Sequence, residues 1–435
     1  MPTMADVHVI VDDCTTVGGS DVRAIRSRDG AGGSANWHFN PERVVAGLPD
    51  KLDDRQMDWL EINSAIFAAD RAVPRDPGLG WNRSIELHVP VRDPAFWSDH
   101  SAAFEDIFSS LTYDRLALSF HHASTFRDAP RPRSKPFPDA DCIALLSGGL
   151  DSFTGAVELH GAGSKPLFLA GSGSGATNSS QASVFRVVEK LDPTREMLKL
   201  VCKRKAGFPG DEASQRSRSL LFVSSAALVA TALGFEDLYV NENGVMAVHV
   251  PLTAARLGSF STRTAVPRVL NQMATLAATA LGAPVKVQNA LIGMTKSEVA
   301  ERAKALGHAR DVDKTVSCWS ISHHSSTHCG YCAPCVMRRL ACLDHGIADV
   351  KYELDVLADP ASLNKEDAKD TLVHFVQLAD EFDTRSDFDL EVDHPELING
   401  ASGLGTIATL ALYRRWAGEV LAAFTAHPVP ASLMS

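Results

Sequence analysis

The chain has no long apolar run, no excess of positive charge and no Walker-type Gly-x4-Gly-Lys-Ser/Thr stretch in its 435 residues. The first absence excludes a helical membrane anchor. The longest apolar segment, Leu220 to Phe235, is broken by Ser224 and Ser225 and falls short of the roughly 20 residues a bilayer requires. It is expected as a buried helix. A net charge of −11 argues against a surface built broadly for nucleic acid, leaving only a local basic groove open. The opening Met-Pro-Thr-Met-Ala-Asp lacks a basic region followed by an apolar stretch, so no signal peptide is expected and the expected compartment is the cytoplasm. Internal repeats and low-complexity tracts are also missing. The length calls for two or three domains.

What is present centres on Cys142 to His160. An apolar run leads into Ser147-Gly148-Gly149-Leu150-Asp151-Ser152 and then into Phe-Thr-Gly-Ala-Val-Glu-Leu-His. This reads as a buried strand, a tight glycine turn and the first turns of a helix, an arrangement suited to holding a phosphate. Glycines let the backbone approach the anion, and unpaired N–H groups of the helix start point at it. Ser147 and Ser152 add hydroxyl donors; Asp151 in an anion site makes sense mainly with a magnesium ion between them. The plain alternative, a helix start capped by Ser147, would not need Gly-Gly. The loop is therefore read as the pyrophosphate site of an ATP-using enzyme.

Residues 1 to 130 mix strand-like alternation at 7–11, 84–90 and 116–120 with helical spacing at 57–71 and 101–112, which fits an α+β layer. Asp70 and Arg71 are expected as a solvated helix end, and His121-His122 has no metal-ligand companion at useful spacing, which favours a surface or packing role. Residues 131–140 close a proline-rich, basic stretch from Phe126 that reads as a semi-rigid, solvated connector. From 141 to 345 strands at 142–146, 166–170, 197–201, 236–240 and 284–288 alternate with helices near 152–160, 180–190, 216–233, 268–281, 296–306 and 335–344. That order implies a Rossmann-like α/β fold, a parallel sheet with ligands outside the carboxyl ends of its strands. Gly171-Ser-Gly-Ser-Gly175 mimics a dinucleotide fingerprint but follows the second strand, so a substrate-facing loop is the better reading. Residues 346–435 form a helical extension with helices near 365–382 and 403–425. Its stripe of Leu404, Ile407, Leu410, Leu412, Trp416, Val420 and Leu421 should pack on the core or on a second subunit, which leaves a homodimer open.

Four of the eight cysteines, Cys318, Cys329, Cys332 and Cys335, fall close together. Cys-x2-Cys-x2-Cys with a fourth thiol returning from a loop suits a tetrahedral, closed, structural zinc site; an iron–sulfur cluster fits less well. His323, His324 and His328 are alternative ligands but are better read as loop residues. Thr295-Lys296-Ser-Glu298 opens a helix with a natural cap, and Lys296 would stand beside a phosphate if that end faces the loop. Arg218, at the start of the buried helix, is ambiguous alone.

Taken together, Ser-Gly-Gly-Leu-Asp-Ser, Arg218-Ser with its buried helix, Thr-Lys-Ser-Glu, and Ser317-Cys318…Cys329-Gly-x-Cys332-x-x-Cys335-x-x-Arg338 occur in the order seen in QueC. The segment 140–345 thus resembles the QueC family, the 7-cyano-7-deazaguanine synthases of the PP-loop ATP pyrophosphatase (adenine nucleotide alpha hydrolase) group. The long N-terminal region and C-terminal extension look more like the QueC-like proteins of bacterial anti-phage defence loci, such as QatC. The resemblance implies ATP, magnesium and structural zinc. It implies a 7-carboxy-7-deazaguanine-like acid, adenylated with release of pyrophosphate and then converted to an amide or nitrile, or passed to an amine of a partner protein. It assigns Ser147, Asp151 and Lys296 to catalysis, and Ser147 to Ser152 with Arg218 and Lys296 to nucleotide binding. Two departures stand out. The Tyr-Gly-Gln type segment after the second strand is replaced by Gly171-Ser-Gly-Ser-Gly-Ala-Thr-Asn178, and the Tyr-Pro-Asp-Cys-Arg segment after the fourth by Asn241-Glu242-Asn243-Gly244. Recognition of the acid or acceptor is expected to differ accordingly. A tRNA-modifying PP-loop ligase or thiolase would want a basic RNA surface and a reactive cysteine outside the cluster. A catalytically silent nucleotide-binding subunit is the other alternative.

Overall fold

A computed structural model describes residues 7–12, 21–29, 33–75, 82–122, 125–133, 135–171, 173, 175–252, 265–319, 328–357, 366–398 and 403–427. Strands are β1 (Val7–Val11), β2 (Val22–Ile25), β3 (Trp37–Asn40), β4 (Ser84–Val91), β5 (Arg115–His122), β6 (Cys142–Leu145), β7 (Pro166–Gly171), β8 (Met197–Arg204), β9 (Asp237–Tyr239) and β10 (Lys286–Gln288). They form a four-stranded sheet in the order β2-β1-β4-β5 and a six-stranded sheet in the order β10-β9-β6-β7-β8-β3.

The five strands expected after residue 141 all form and pair in parallel, with β6 central. Helices Leu150–Gly161, Gly175–Leu191, Arg218–Leu233 and Pro267–Leu281 supply the crossovers, which makes this sheet Rossmann-like. The N-terminal layer departs from the α+β expectation. The strands of its sheet are all parallel, with helices Asp54–Ala72 and Ser101–Thr112 on the connections into β4 and β5, which is an α/β pattern. Strand β3 pairs antiparallel with β8 and so forms an edge of the second sheet. One hydrophobic core joins both sheets: Trp59 packs in it and donates from Nε1 to the Ser224 carbonyl at 2.9 Å.

Asp70 and Arg71 are not a solvated helix end. Asp70 is fully buried; its Oδ1 takes Arg83 at 2.6 Å, and its Oδ2 accepts from the Ser217 amide and hydroxyl at 3.0 and 2.8 Å. Ser217 stands at the N-cap position of the helix Arg218–Leu233, so the N-terminal region anchors that helix start through Asp70. Arg83 and Arg75 neutralise the buried carboxylates of Asp70, at the end of the helix Asp54–Ala72, and of Asp114. The basic stretch after Phe126 is likewise laid along the surface. Arg133 holds Glu196 bidentately at 2.8 and 2.7 Å, and the Phe137 amide donates to the Gly47 carbonyl.

The C-terminal helices Glu366–Thr384 and Thr406–Ala426 build a second core in which Leu410, Leu412, Trp416 and Val420 are buried, while Ile407 is exposed. No helix among the described residues is long and apolar enough to cross a membrane.

Candidate active site

Strand β6 ends at Leu145, and the chain turns through Ser147-Gly148-Gly149 into the helix Leu150–Gly161. Gly148 has φ +85°, and a Cβ there would lie 2.9 Å from the Gln181 amide nitrogen, so both conformation and space demand glycine. No side chain caps the helix start at Gly149. Instead the Ser147 and Ser152 hydroxyls meet at 3.0 Å, and Ser152 Oγ donates to the Gly149 carbonyl at 3.1 Å. First-turn amides, two hydroxyls and the positive end of the helix thus converge on one spot.

That spot lies in a cavity of about 1170 Å³, lined by Ser147, Gly149, Leu150, Asp151, Ser152, Lys296 and Arg218 among others. The structure therefore brings the sequence-predicted residues to one place, with Gly148 supplying the turn behind them. It exceeds the roughly 300–1,000 Å³ of ordinary ligand pockets and has room for two reactants.

Lys296 is the first residue of the helix Lys296–Ala305, whose start carries the expected capping box between Thr295 and Glu298. Its ammonium donates to Asp151 Oδ2 at 2.7 Å, with both side chains buried. Asn243 Nδ2 donates to the same oxygen at 3.1 Å and to Glu242 Oε1 at 3.3 Å, which brings a second carboxyl to the group. Burial opposes ionisation of Asp151, but Lys296 and the neighbouring hydrogen bonds outweigh it and hold the carboxyl below its ordinary range. Glu242 moves the other way: burial, then the Asp151 charge, push it well above the usual carboxylate value. Asp151 Oδ1 is buried without a hydrogen-bond partner.

Arg218 lies in another part of the same cavity, its guanidinium 5.0 Å from the Phe222 ring centroid. Burial lowers its proton affinity. Residues the sequence did not single out also line the space: Lys199 from β8, and Trp37, Arg43 and Phe67 from the N-terminal region; Arg71, expected as a solvated helix end, lines it too. Glu242 could have been found, because Asn241–Gly244 directly follows β9, where ligands of parallel sheets gather. Gly155 lets that segment approach, since a Cβ there would sit 2.1 Å from Asn241 Nδ2.

The four expected cysteines come together, with the sulfurs of Cys318, Cys329, Cys332 and Cys335 all within 4.8 Å of one another. The Cys329 amide donates to Cys318 Sγ at 3.5 Å and the Cys332 amide to Cys329 Sγ at 3.3 Å. Four buried or half-buried thiols with amide-to-sulfur hydrogen bonds fit a zinc ion and leave it no open position. His328 stands outside the ligand set. Its Nε2 accepts from the Ser317 amide at 3.1 Å, and burial, then the Arg338 charge, push its pKa down to about 4. His323 and His324 lie outside the described residues, as do Ser172 and Ser174 of the glycine-serine loop.

The cluster and the glycine turn are joined through one segment. Arg338 is fully buried, pairs with Asp349 at 2.8 Å, and donates to Thr315 Oγ1 at 2.6 Å and to the Val312 carbonyl at 2.7 Å. The segment so held presents the Val316 amide to the Gly148 carbonyl at 2.9 Å.

The family model described as "Queuosine biosynthesis protein QueC" matches residues 216–346, which include Arg218, Lys296 and all four clustered cysteines. A 7-cyano-7-deazaguanine synthase of Aromatoleum aromaticum is 28% identical over 228 residues, 48% of this chain and 95% of that relative. Together the two matches support a QueC-like family for this part of the chain.

Proposed function

We propose that the protein adenylates a 7-carboxy-7-deazaguanine-like acid at the expense of ATP and passes the acyl group to an amine, with an amine of a partner protein as the acceptor. The observation that carries this reading is the uncapped helix start at Gly149 beside the half-satisfied Asp151–Lys296 pair, within one cavity large enough for nucleotide and acid. The QatC-type resemblance supplies the setting, anti-phage defence.

A substrate carboxylate oxygen attacks the α-phosphorus of ATP; the bond to the bridging oxygen breaks and pyrophosphate leaves. Charge accumulates on that leaving group. The loop amides, the Ser147 and Ser152 hydroxyls and the Lys296 ammonium answer it from fixed positions. The amine nitrogen then attacks the acyl carbon, AMP departs, and the nitrogen loses a proton. Asp151 Oδ1, a buried oxygen without a partner, and Glu242 fit a magnesium ion, which would supply charge neutralisation at the phosphates. The absence of a Walker lysine fits pyrophosphate release rather than γ-phosphoryl transfer.

A thiolase would need an activated cysteine. Among the described cysteines outside the cluster, Cys142, Cys202 and Cys342 are all pushed up by burial, which disfavours that chemistry at those three positions; Cys14 lies outside the described residues.

The test is pyrophosphate release by the full chain given ATP and 7-carboxy-7-deazaguanine. Release that depends on the acid and disappears in Lys296→Ala supports the reading. ATP binding without acid-dependent release would leave a silent nucleotide-binding subunit. Efficient nitrile formation with ammonia alone would remove the protein acceptor.

A further inference from the structure

On the first sheet, three strands place imidazole and carboxylate groups on one face. His8 of β1 is the register partner of Glu86 of β4, and His88 follows Glu86 by two residues, so all three side chains share a face. Val9, Leu87 and Val89 alternate with them and enter the core on the opposite face. His121 of β5 completes the row, its Nε2 3.1 Å from His88 Nδ1. None of the four lines the large cavity.

The geometry is wrong for hydrogen bonding and right for coordination. His8 Nδ1 lies 3.3 Å from one Glu86 oxygen and His88 Nε2 lies 3.5 Å from the other. Yet both ring nitrogens are buried and make no hydrogen bond. A tetrahedral ion with bonds of about 2.0–2.2 Å separates its ligand atoms by roughly 3.4 Å, close to both spacings. One atom from each of His8, Glu86 and His88 falls within 4.8 Å of the others. His121 occupies the far nitrogen of His88, fixing that ring and leaving Nε2 for the shared centre, as partners of metal-bound histidines do.

We propose that His8, Glu86 and His88 form a divalent transition-metal site, separate from the cysteine cluster, with His121 as a positioning residue. Two imidazoles and one carboxylate select zinc, nickel or cobalt over magnesium or calcium. Three protein ligands leave at least one position to water, and the ion ties β1 to β4.

The experiment strips the full chain with chelator, reloads it with cobalt(II), and reads bound metal by mass spectrometry and the visible spectrum. Wild type should take up about two ions per chain, one with the intense thiolate-to-cobalt band of a cysteine site and one with weak bands of nitrogen and oxygen ligands. His8→Ala and Glu86→Ala, at partly exposed positions, should each bind about one ion and keep the thiolate band. Cys329→Ser should lose the thiolate band and keep the weak ones; should it fail to fold, the two N-terminal variants decide alone. One ion in wild type, or two in both N-terminal variants, would overturn the site.

Discussion

Two buried ion pairs, Arg83–Asp70 in the first region and Lys296–Asp151 in the second, differ in what they leave over. Every carboxylate oxygen of Asp70 and Asp114 is taken, by Arg83, by Arg75 or by Ser217. Asp151 spends one oxygen on Lys296 and Asn243, its other takes no cationic or amide donor, and a second carboxyl, Glu242, stands beside the group. Burying a charge is costly unless it is paired and hydrogen-bonded, so a complete network is a structural device, whereas an incomplete one beside a cavity is a place for a ligand.

The comparison can be broken most directly at Arg83. Arg83→Ala leaves the buried Asp70 carboxylate without its cation and Asp114 with Arg75 alone, and should cost about 3–5 kcal/mol, read by denaturant unfolding. Asp151→Asn should cut pyrophosphate release by about 10²–10³-fold and cost less stability than Arg83→Ala, because the Glu242 carboxyl remains to face the Lys296 ammonium. An Asp151→Asn chain as unstable as Arg83→Ala would erase the distinction. A sharper case is Glu419, which accepts from the Thr295 hydroxyl next to Lys296 and which burial lifts to about 7. Its folded value lies above its ordinary 4.5, so its stabilising contribution is complete below that pH and is lost as pH rises through about 7. Glu419→Gln should therefore raise stability at pH 8, by at most about 3 kcal/mol, and change little at pH 4.5. The smallest effect belongs to the surface pair: Arg133→Ala should cost about 0.5 kcal/mol, less in high salt.

Legibility in the sequence followed the same division. Buried parallel strands announce themselves as apolar runs, as β6 and β7 do, and β8 to β10 could also be read to within a few residues. The glycine turn at Ser147–Ser152, the capped helix start at Lys296 and the clustering of the four cysteines were readable because each depends on local spacing. Strands β2 and β3, four residues each, carry too little pattern to separate from loop. Asp70 looked like a helix end because its partners, Arg83 and Ser217, come from other elements. His121 looked isolated for the same reason: its neighbour His88 appears only once β4 and β5 are set in register. Glu242 was noticed as a departure from the family pattern, yet its place beside Asp151 depends on how β9 pairs with β6.

Strand β3 bears on how far the chain can be shortened. Trp37–Asn40 covers the backbone of Val201–Arg204 and takes up its hydrogen bonds. A truncation that keeps only the segment after 130 would bare that edge as a row of unpaired amides and carbonyls, and would uncover the helix face that holds Trp59. Such a fragment should associate edge to edge before it could serve as a minimal catalyst, which makes the N-terminal region a chaperone of its own neighbour.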